Sequence, residues 1–419
     1  MSPFDAERTE IARYSRMVVS VLEEECFVQV VDESGIVNGD FTLQDLNASP
    51  DIVNFYNLGN SVMHCGILDF ALQTPGIVVL HDISLLELSL AYARYTGEFD
   101  IARMAADEYG HEAARAFSAM FGGENYSWHG RDQAQYDAFT SNYPLFESFI
   151  GNAMGVVVHS DYALRHVQAR YKGPVVKLDL PYQAPESSPG ARQHEEPFQI
   201  VFCGHAGPNR RLGEFLSAWS TVSRPEAFRL SLVGKIAKVD ELNAHIAKLG
   251  LTEWVTIVGF VSDEELDQRL SQADLAINLR FPTMGEASAS QLRYWSRGVP
   301  SIVSDVGWYG ELPDDVAIKI SPHNERQDIV TLLEEMIGGD LGRLACGARG
   351  EAFLRSQHNV ERYVSGLLNF AGEALDRRFA AGIFDDRLIE ILASMCDDVN
   401  DSVMFEPTLA RLSSMVERL

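Results

Sequence analysis

The sequence predicts an α/β protein with two domains, each built around a parallel β-sheet that helices cover on both faces. Two observations lead to this fold class. Short apolar segments of strand length alternate with helical patterns along most of the 419 residues, and a polar segment at 183–197 interrupts this alternation before it starts again. A chain of this length also accommodates two or three domains. We therefore expect two sheets that face each other across a cleft.

The predicted N-terminal domain covers residues 1–182. Apolar residues over 12–24 recur at the spacing of one helix face. Helical spacing also predicts helices over 102–121 and 134–152, and Ser160 is placed to cap the start of a further helix. Runs rich in Val and Ile predict the strands, which lie at 27–31, 52–56, 77–80, 155–159 and 175–180.

The predicted C-terminal domain covers residues 198–375, after a linker at 183–197 that contains Pro and Gly. Because strands and helices alternate strictly here, we expect a parallel sheet. Its predicted strands lie at 198–203, 228–233, 255–258, 275–279, 301–304 and 316–320. The last segment, 376–419, is acidic and helical in pattern, which predicts an appended helical extension.

Composition and charge limit the functions open to the chain. Hydrophobic residues make up 46% and charged residues 22%, as in water-soluble globular proteins. No apolar run reaches the roughly 20 residues that a membrane-spanning helix needs, and residues 1–8 lack the pattern of a signal peptide. The net charge of −26 repels nucleic acid and anionic membrane surfaces. We therefore predict a cytoplasmic protein that binds no nucleic acid and does not associate with membranes.

Cysteine and carboxylate spacing argues against a metal site. The five cysteines are far apart and form no C-x-x-C pair, which favours free thiols in a reducing compartment over disulfides or zinc. No D-x-D motif occurs, so the usual carboxylate grip on a metal–diphosphate complex is missing. P-loop, nucleophile-elbow and dinucleotide-fold glycine motifs are also missing. We predict no metal and no cofactor.

The loop after the strand at 275–279 predicts a ligand site. It carries one carboxylate, Glu286, among small residues, and a helical segment follows. Backbone N–H groups at such a helix start bind phosphate, and the residues that would offer them are Ala287, Ser288, Ala289 and Ser290. Glu286 would accept hydrogen bonds from hydroxyl groups of the same ligand. Alternatively, Glu286 only stabilises the helix dipole.

A second loop, which begins at Gly204, predicts the cations of this site. Arg210 and Arg211 lie at the start of a predicted helix, where cations oppose the helix dipole unless an anion binds. An arginine can hold a phosphate through two parallel hydrogen bonds. The alternative is a pair of solvated arginines. Lys235 follows the next strand and would face the same cleft or, more commonly for a lysine, the solvent.

Polar residues also end the strands of the N-terminal half. His81 and His159 each follow an apolar strand, and Asn60 lies just beyond another. Parallel strands place such residues on one edge of the sheet. Imidazoles there could take part in chemistry near neutral pH, or they could be structural.

Taken together, the motifs resemble glycosyltransferase family 4, retaining enzymes of the GT-B fold within the glycosyl transferases group 1. The resemblance covers most of residues 2–370 and is densest over 198–340. In the C-terminal half it rests on Gly204 to Arg210, 258–266, 273–278, Gly285-Glu286, Gly298-Val299-Pro300 and Ser304 to Glu311. In the N-terminal half it rests on Glu10 to Ser15, Val79 to Asp82 and Val157 to Ser160.

The resemblance implies two Rossmann-like domains and a nucleotide-diphosphate sugar bound mainly by the C-terminal one. Arg210 takes the place of the family's phosphate-binding lysine, and His205 falls where the family often has an arginine. Glu286 matches the first glutamate of a pair that contacts the donor sugar, and His81 matches a histidine near the transferred sugar. These two are the implied catalytic residues. The implied acceptor side comprises Glu10, Tyr14, Asn60 and His159.

The chain departs from the family pattern at three places. The second glutamate of the pair would fall near Arg293 or Tyr294, and neither is acidic. The glycine-rich turn after the first strand appears as Arg8-Thr9-Glu10. That first strand is almost absent, because Met1-Ser2-Pro3 falls where it should end.

The leading hypothesis is a metal-independent, retaining glycosyltransferase of bacterial type. It would move a hexose from a nucleotide-diphosphate sugar to a hydroxyl of an unknown acceptor, which is a glycan, a small molecule or a protein. The alternative from another class is a non-catalytic protein that binds sugar nucleotides or carbohydrate and keeps the GT-B fold. A GT-B epimerase or phosphorylase is a third hypothesis. The sequence leaves the oligomeric state open.

Overall fold

A computed structural model describes residues 1–4, 10–46, 52–122, 127–128, 133–186 and 194–377. The predicted helical extension at 376–419 lies outside these ranges, apart from its first two residues. One compact unit, Met1–Phe370, holds both sheets. In the described part of the chain, no helix is long and apolar enough to cross a membrane.

The N-terminal half contains a four-stranded parallel sheet. The strands of this sheet are β1 (Phe55–Leu58), β2 (Ile77–Leu80), β5 (Gly155–Val158) and β6 (Val175–Lys177). Between β2 and β5 the chain forms a separate antiparallel pair, β3 (Phe121–Gly122) with β4 (Ser127–Trp128). The sheet order is β1-β2-β5-β6. The helices of this half are α1 (Glu10–Glu25), α2 (Glu33–Asn38), α3 (Leu43–Leu46), α4 (Cys65–Gln73), α5 (Leu86–Thr96), α6 (Ile101–Tyr109), α7 (His111–Met120), α8 (Gln133–Asn142), α9 (Glu147–Ile150) and α10 (Asp161–Arg170).

The predicted strand at 27–31 is wrong. Phe27 is 94% exposed, and no helix or strand covers 27–31. Among its apolar residues only Val31 is buried, so the segment lacks the alternating buried face that a strand of this sheet would need. The helix predicted over 102–121 is divided at Gly110, whose positive φ of 89° ends α6. The predicted cap Ser160 is confirmed, since its hydroxyl accepts a hydrogen bond from Ala163 N at 3.0 Å.

Residues 1 and 2 lie in hydrogen-bond contact beside β1. The nitrogen of Met1 donates to the carbonyl of Phe55, and its carbonyl accepts from Asn57 N at 3.0 Å. Ser2 N donates to the carbonyl of Val31 at 3.1 Å on the other side. The main chain at Met1–Ser2 therefore bridges β1 and Val31, although it forms no assigned strand.

The C-terminal half contains a six-stranded parallel sheet. Its strands are β7 (Phe198–Cys203), β8 (Phe228–Val233), β9 (Val255–Gly259), β10 (Leu275–Asn278), β11 (Ser301–Ser304) and β12 (Ile318–Ile320), in the order β12-β11-β10-β7-β8-β9. The helices are α11 (Leu212–Trp219), α12 (Val239–Lys248), α13 (Asp263–Gln272), α14 (Ala289–Ser296), α15 (Gly307–Glu311), α16 (Glu325–Ile337) and α17 (Cys346–Gln357). A last described helix, α18, covers 360–377.

The chain returns to the first sheet after α17. Tyr182 N donates to the carbonyl of His358 at 2.9 Å, and the ring of Phe370 packs against Gly155 of β5. The central strands β2, β5, β10 and β11 are buried along their whole length. This burial is expected for parallel sheets that helices cover on both faces. The described fold thus confirms the predicted pair of parallel sheets.

Candidate active site

The loops at the C-terminal ends of the two sheets touch each other. The backbone nitrogens of Ile83 and Ser84, which follow β2, donate to the carbonyl of Met284 at 2.7 and 3.0 Å. Gly285 has a φ of +78°, and a Cβ added there would lie 2.6 Å from the Ile83 side chain. The Glu286 loop therefore lies directly against the strand-end loop that contains His81.

Arg210 is a buried cation without a counter-ion. It is 3% exposed and belongs to a short 3-10 turn before α11. One Nη donates to Asn278 Oδ1 at 3.2 Å, and the guanidinium lies 4.9 Å from the Phe202 ring centroid. Among the described residues its Nε has no partner. Burial, followed by the nearby charge of Arg280, lowers the pKa of Arg210 to about 10, so it remains charged at neutral pH.

Arg211, by contrast, is already neutralised. Its guanidinium donates to both carboxylate oxygens of Glu325, at 2.7 Å for the shortest contact, and also pairs with Glu214 at 2.9 Å. Of the two neighbouring arginines, only Arg210 has its charge available for a ligand.

The predicted small-residue helix start lies beside Arg210. Ser288 caps α14 by accepting a hydrogen bond from Gln291 N at 3.2 Å. The amide of Asn278 donates to Ser288 Oγ at 3.2 Å, while its Oδ1 accepts from Arg210. Asn278 therefore connects the cation to the N terminus of α14, where Ala287, Ser288, Ala289 and Ser290 lie as predicted.

Two glycines allow the loops after β7 and β8 to approach this helix. A Cβ on Gly204 would lie 3.5 Å from Ser290 Oγ, so this turn faces the start of α14. Gly234 has a φ of +117°, and a Cβ there would lie 2.2 Å from the carbonyl oxygen of Gly204. His205 and Lys235 follow these glycines and are exposed. Burial and the positive charges of Lys235, Arg210 and Arg280 lower the pKa of His205, which indicates a region rich in cations.

Replacement of Gly234 by alanine should destabilise the fold by about 2–4 kcal/mol, because backbone strain and a steric clash add. The matched control is Gly250→Ala. Gly250 also has a positive φ, of +72°, but no atom lies within 4 Å of its added Cβ. Urea denaturation should show a loss of only about 1 kcal/mol for this control. Equal losses in the two variants would contradict the close approach of the loops.

Glu286 lies where the site was predicted, but its carboxylate is held by its own loop. Oε2 accepts from Met284 N at 2.8 Å, and Oε1 lies 2.9 Å from an Nη of Arg280. That ion pair is not aligned as a hydrogen bond, because Oε1 is buried and has no hydrogen-bond partner among the described residues. The carboxylate thus keeps one oxygen able to accept a further donor.

Tyr294 and Arg293, which stand where a second glutamate would fall, have structural contacts. The hydroxyl of Tyr294 accepts from Cys203 N at 2.9 Å inside the core. Arg293 is buried and donates to Asp263 at 2.8 Å and to Asp267 at 3.0 Å, which joins α14 to α13. Neither side chain offers a carboxylate to a ligand.

Asp82, just beyond β2, lies close enough to Glu286 for the two carboxylates to interact electrostatically. Its Oδ2 accepts from Asn60 N at 2.8 Å. Burial, followed by the negative charge of Glu286, raises the pKa of Asp82 to about 6. Two carboxylates thus approach each other across the two halves, with Arg280 nearby.

The raised pKa of Asp82 predicts a pH-dependent stability. Between pH 4 and pH 6 the folded state binds more protons at this group than the unfolded state, so stability falls as pH rises through this window. Asp82→Asn should therefore be more stable than the native chain at pH 7.5, by about 1–2 kcal/mol after allowance for solvent screening. The gain should vanish near pH 4, as measured by urea denaturation. The control Asp314→Asn removes an exposed carboxylate that pairs with Lys319 at 2.7 Å, and it should show no gain.

The predicted acceptor-side residues, taken with the predicted catalytic residue His81, fall into two groups. Tyr14, His81 and His159 pack in one buried cluster, with His81 4.8 Å from Tyr14 and 5.0 Å from His159 between ring centroids. Asn60 instead caps the backbone of α5, where its Oδ1 accepts from Leu88 N at 3.0 Å. Glu10 is exposed at the start of α1. The structure therefore joins three of these residues but not Asn60 or Glu10.

His81 is buried in this cluster, away from solvent. Its Nε2 lies 3.0 Å from Asn57 Oδ1. Burial, followed by the neighbouring His159 and His64, lowers the pKa of His81 well below its ordinary value. The imidazole is therefore neutral at physiological pH.

Sequence reasoning missed three residues of the site: Asp82, Arg280 and Tyr309. Asp82 and Arg280 lie in loops after predicted strands, and Tyr309 lies on the short helix after another; this position beyond the strand ends is the signal that could have selected them. The Tyr309 hydroxyl is buried close to the side chains of Arg280 and Ser288, but it makes no well-aligned hydrogen bond to any described residue. Within the same part of the chain, no group of three His, Cys, Asp or Glu side chains is placed to hold a metal ion.

Comparison with known proteins defines the class. Residues 184–338 match the family Glycosyl transferases group 1. The fold is similar to that of sucrose-phosphate synthase from Thermosynechococcus elongatus, with a TM-score of 0.50 and 14% identity over 76% of this chain and 79% of that chain. These findings confirm the predicted GT-B fold and the predicted enzyme class, a glycosyltransferase.

Two further solved structures share the fold over most of this chain. TarM has a TM-score of 0.52 and 11% identity, over 78% of this chain and 56% of that chain. A chain of the GtfA/B complex has a TM-score of 0.50 and 14% identity, over 80% of this chain and 59% of that chain. This protein thus spans little more than half the length of these two. No curated protein matches the sequence.

Proposed function

We propose that this protein is a retaining, metal-independent glycosyltransferase of family 4 that moves a hexose from a nucleotide-diphosphate sugar to an acceptor hydroxyl. Arg210 is the observation that carries this proposal. Its guanidinium is buried and charged, has no carboxylate partner among the described residues, and lies beside the N terminus of α14. A buried charge of this kind is costly unless an anion completes it.

The cations around Arg210 support binding of a diphosphate without metal. Arg280, Lys235 and His205 interact electrostatically with one another or with Arg210. The chain as a whole carries a net charge of −26, so this group of cations is a local exception. Together with the N–H groups at the start of α14, these residues can neutralise the charge that develops on the departing phosphate.

Transfer with retention of the anomeric configuration would proceed without an enzyme nucleophile. The bond between the anomeric carbon and the phosphate oxygen breaks, and the acceptor oxygen bonds to the same face of that carbon. The acceptor proton passes to the departing phosphate oxygen. The N-terminal half would orient the acceptor hydroxyl, with Asp82 and the loop after β2 closest to Glu286.

A donor screen tests the proposal. The purified chain is mixed with UDP-, GDP- and ADP-sugars, and binding is measured by calorimetry, while release of nucleotide is measured with and without candidate acceptors and in the presence of EDTA. We expect one nucleotide series to bind, and turnover to persist in EDTA. Failure of all three series to bind would overturn the proposal.

A non-catalytic sugar-nucleotide-binding protein is the second candidate. The second glutamate would fall near Arg293 or Tyr294, and the Tyr294 hydroxyl accepts a hydrogen bond from Cys203 N, while Ile83 packs directly on Gly285 beside Glu286. Both features reduce the polar contacts available to a donor. Donor binding without any turnover, across a panel of acceptors, would favour this candidate over the enzyme.

A further inference from the structure

Three buried hydrogen-bond donors near Glu286 have no partner among the described residues. They are Nε of Arg210, Nε of Arg280 and the hydroxyl of Tyr309. Arg210 and Tyr309 are 3% and 0% exposed. An unpaired buried donor destabilises the fold, so three of them in one place favour a ligand rich in acceptors.

These donors come from neighbouring strand ends. Arg210 donates to Asn278, the last residue of β10, and Arg280 follows two positions later. Arg280 N donates to Ser304 Oγ, at the end of β11, at 2.9 Å. Tyr309 lies on α15, which begins just after β11. Burial raises the pKa of Tyr309, so its hydroxyl keeps its proton and can donate.

Arg280 and Glu286 form an incomplete ion pair. The ion pair has an N–O distance of 2.9 Å, yet neither Oε1 of Glu286 nor Nε of Arg280 forms a hydrogen bond with any residue that the structure describes. The two groups therefore have opposite charges, but the N–H groups of Arg280 do not point at the carboxylate oxygen Oε1. A bidentate arrangement, in which a guanidinium donates through two parallel N–H groups, is stronger.

We propose that Arg280 and Tyr309 bind a phosphate group of the donor together with Arg210, and that Arg280 exchanges Glu286 for this phosphate when the donor binds. This inference rests on the proposed function. The phosphate oxygens accept from Nε of Arg280 and from the Tyr309 hydroxyl. Oε1 of Glu286 is then released to accept a hydrogen bond from a hydroxyl of the transferred sugar. Binding of the phosphate thereby frees the carboxylate that contacts the sugar.

The exchange predicts that removal of the Glu286 charge raises the affinity for a nucleoside diphosphate. In the native chain the Glu286 carboxylate competes with a nucleoside diphosphate for Arg280. Glu286→Gln removes this competition but keeps the shape of the side chain, so the variant should bind a sugar-free nucleoside diphosphate more tightly. If Arg280 only supported the Glu286 loop, Glu286→Gln would bind the nucleoside diphosphate with the same affinity as the native chain.

Calorimetry with UDP, GDP and ADP tests the exchange. We expect Arg280→Gln to weaken binding at least tenfold and Tyr309→Phe to weaken it about tenfold. Tyr309→Phe should leave the melting temperature unchanged or higher, because the lost hydroxyl makes no well-aligned hydrogen bond to the described residues. Glu286→Gln should bind about three- to tenfold more tightly, and this gain should vanish in the double variant with Arg280→Gln. The control Glu265→Gln removes a surface partner of Arg269 and should change nothing.

The outcomes separate this inference from the proposed function. If Glu286→Gln fails to gain affinity, or if the gain survives in the double variant, the exchange is overturned. Unchanged affinity in Tyr309→Phe excludes its hydroxyl as a phosphate ligand. In both cases, loss of binding in Arg210→Ala would still support the proposed function. If the native chain binds no nucleoside diphosphate, both the exchange and the proposed function are overturned.

Discussion

Replacement of Arg210 by alanine should lower the affinity for the nucleotide-sugar donor by about 100-fold or more. Among the buried arginines near α14 in the described part of the chain, Arg210 is the one without a carboxylate partner. Its binding energy should therefore come mainly from the donor phosphate. Isothermal titration with the nucleotide series selected by the donor screen measures the loss.

Stability provides a second readout for the same residue. Arg210→Met keeps much of the side-chain volume but removes a buried charge, so the free energy of unfolding should be unchanged or higher even though donor binding is lost. The matched control is Arg293→Met. Arg293 is equally buried, but Asp263 and Asp267 neutralise it. This control should lose stability and retain donor affinity. A less stable Arg210→Met variant with native affinity would show that Arg210 has a structural role.

Replacement of Glu286 by glutamine should reduce sugar transfer about 10- to 100-fold without a loss of nucleoside diphosphate affinity. One oxygen of the carboxylate, Oε1, is buried and accepts no hydrogen bond from the described part of the chain. A charge-assisted hydrogen bond from a sugar hydroxyl to this oxygen would contribute only when the sugar is present. Initial rates at saturating donor, compared with the dissociation constant for the nucleoside diphosphate, separate the two effects. Equal losses of transfer and nucleotide binding would instead indicate a cap of the helix start.

Elements with a strong local pattern were predictable from the sequence. The strands at 198–203, 228–233 and 301–304 have the predicted bounds, because each is a short segment rich in strand-forming apolar residues. The segment at 27–31 has a similar composition but forms no strand, and only Val31 of its residues is buried. Local composition could not distinguish them, since burial depends on what the rest of the chain places beside a segment.

The candidate site was predictable in place but not in detail. Arg210, Ser288 and Glu286 lie together at the ends of strands of one parallel sheet, as the alternation of elements required. The sequence could not show which of two successive residues, His81 or Asp82, faces Glu286. Ile83 and Gly285 touch because two loops from different sheets meet, and no local pattern encodes that contact.

The sequence by itself determined a pair of parallel α/β sheets and the edge at which an anion would bind, because both follow from the order and spacing of local elements. Only the tertiary structure decided which charges are free. Arg211 is neutralised by Glu325, 114 positions away, whereas its neighbour Arg210 has no such partner among the described residues. Arg280, by the same packing, lies against Glu286. The partner of a charged side chain depends on how distant elements pack, and that packing separates the binding cation from the structural one.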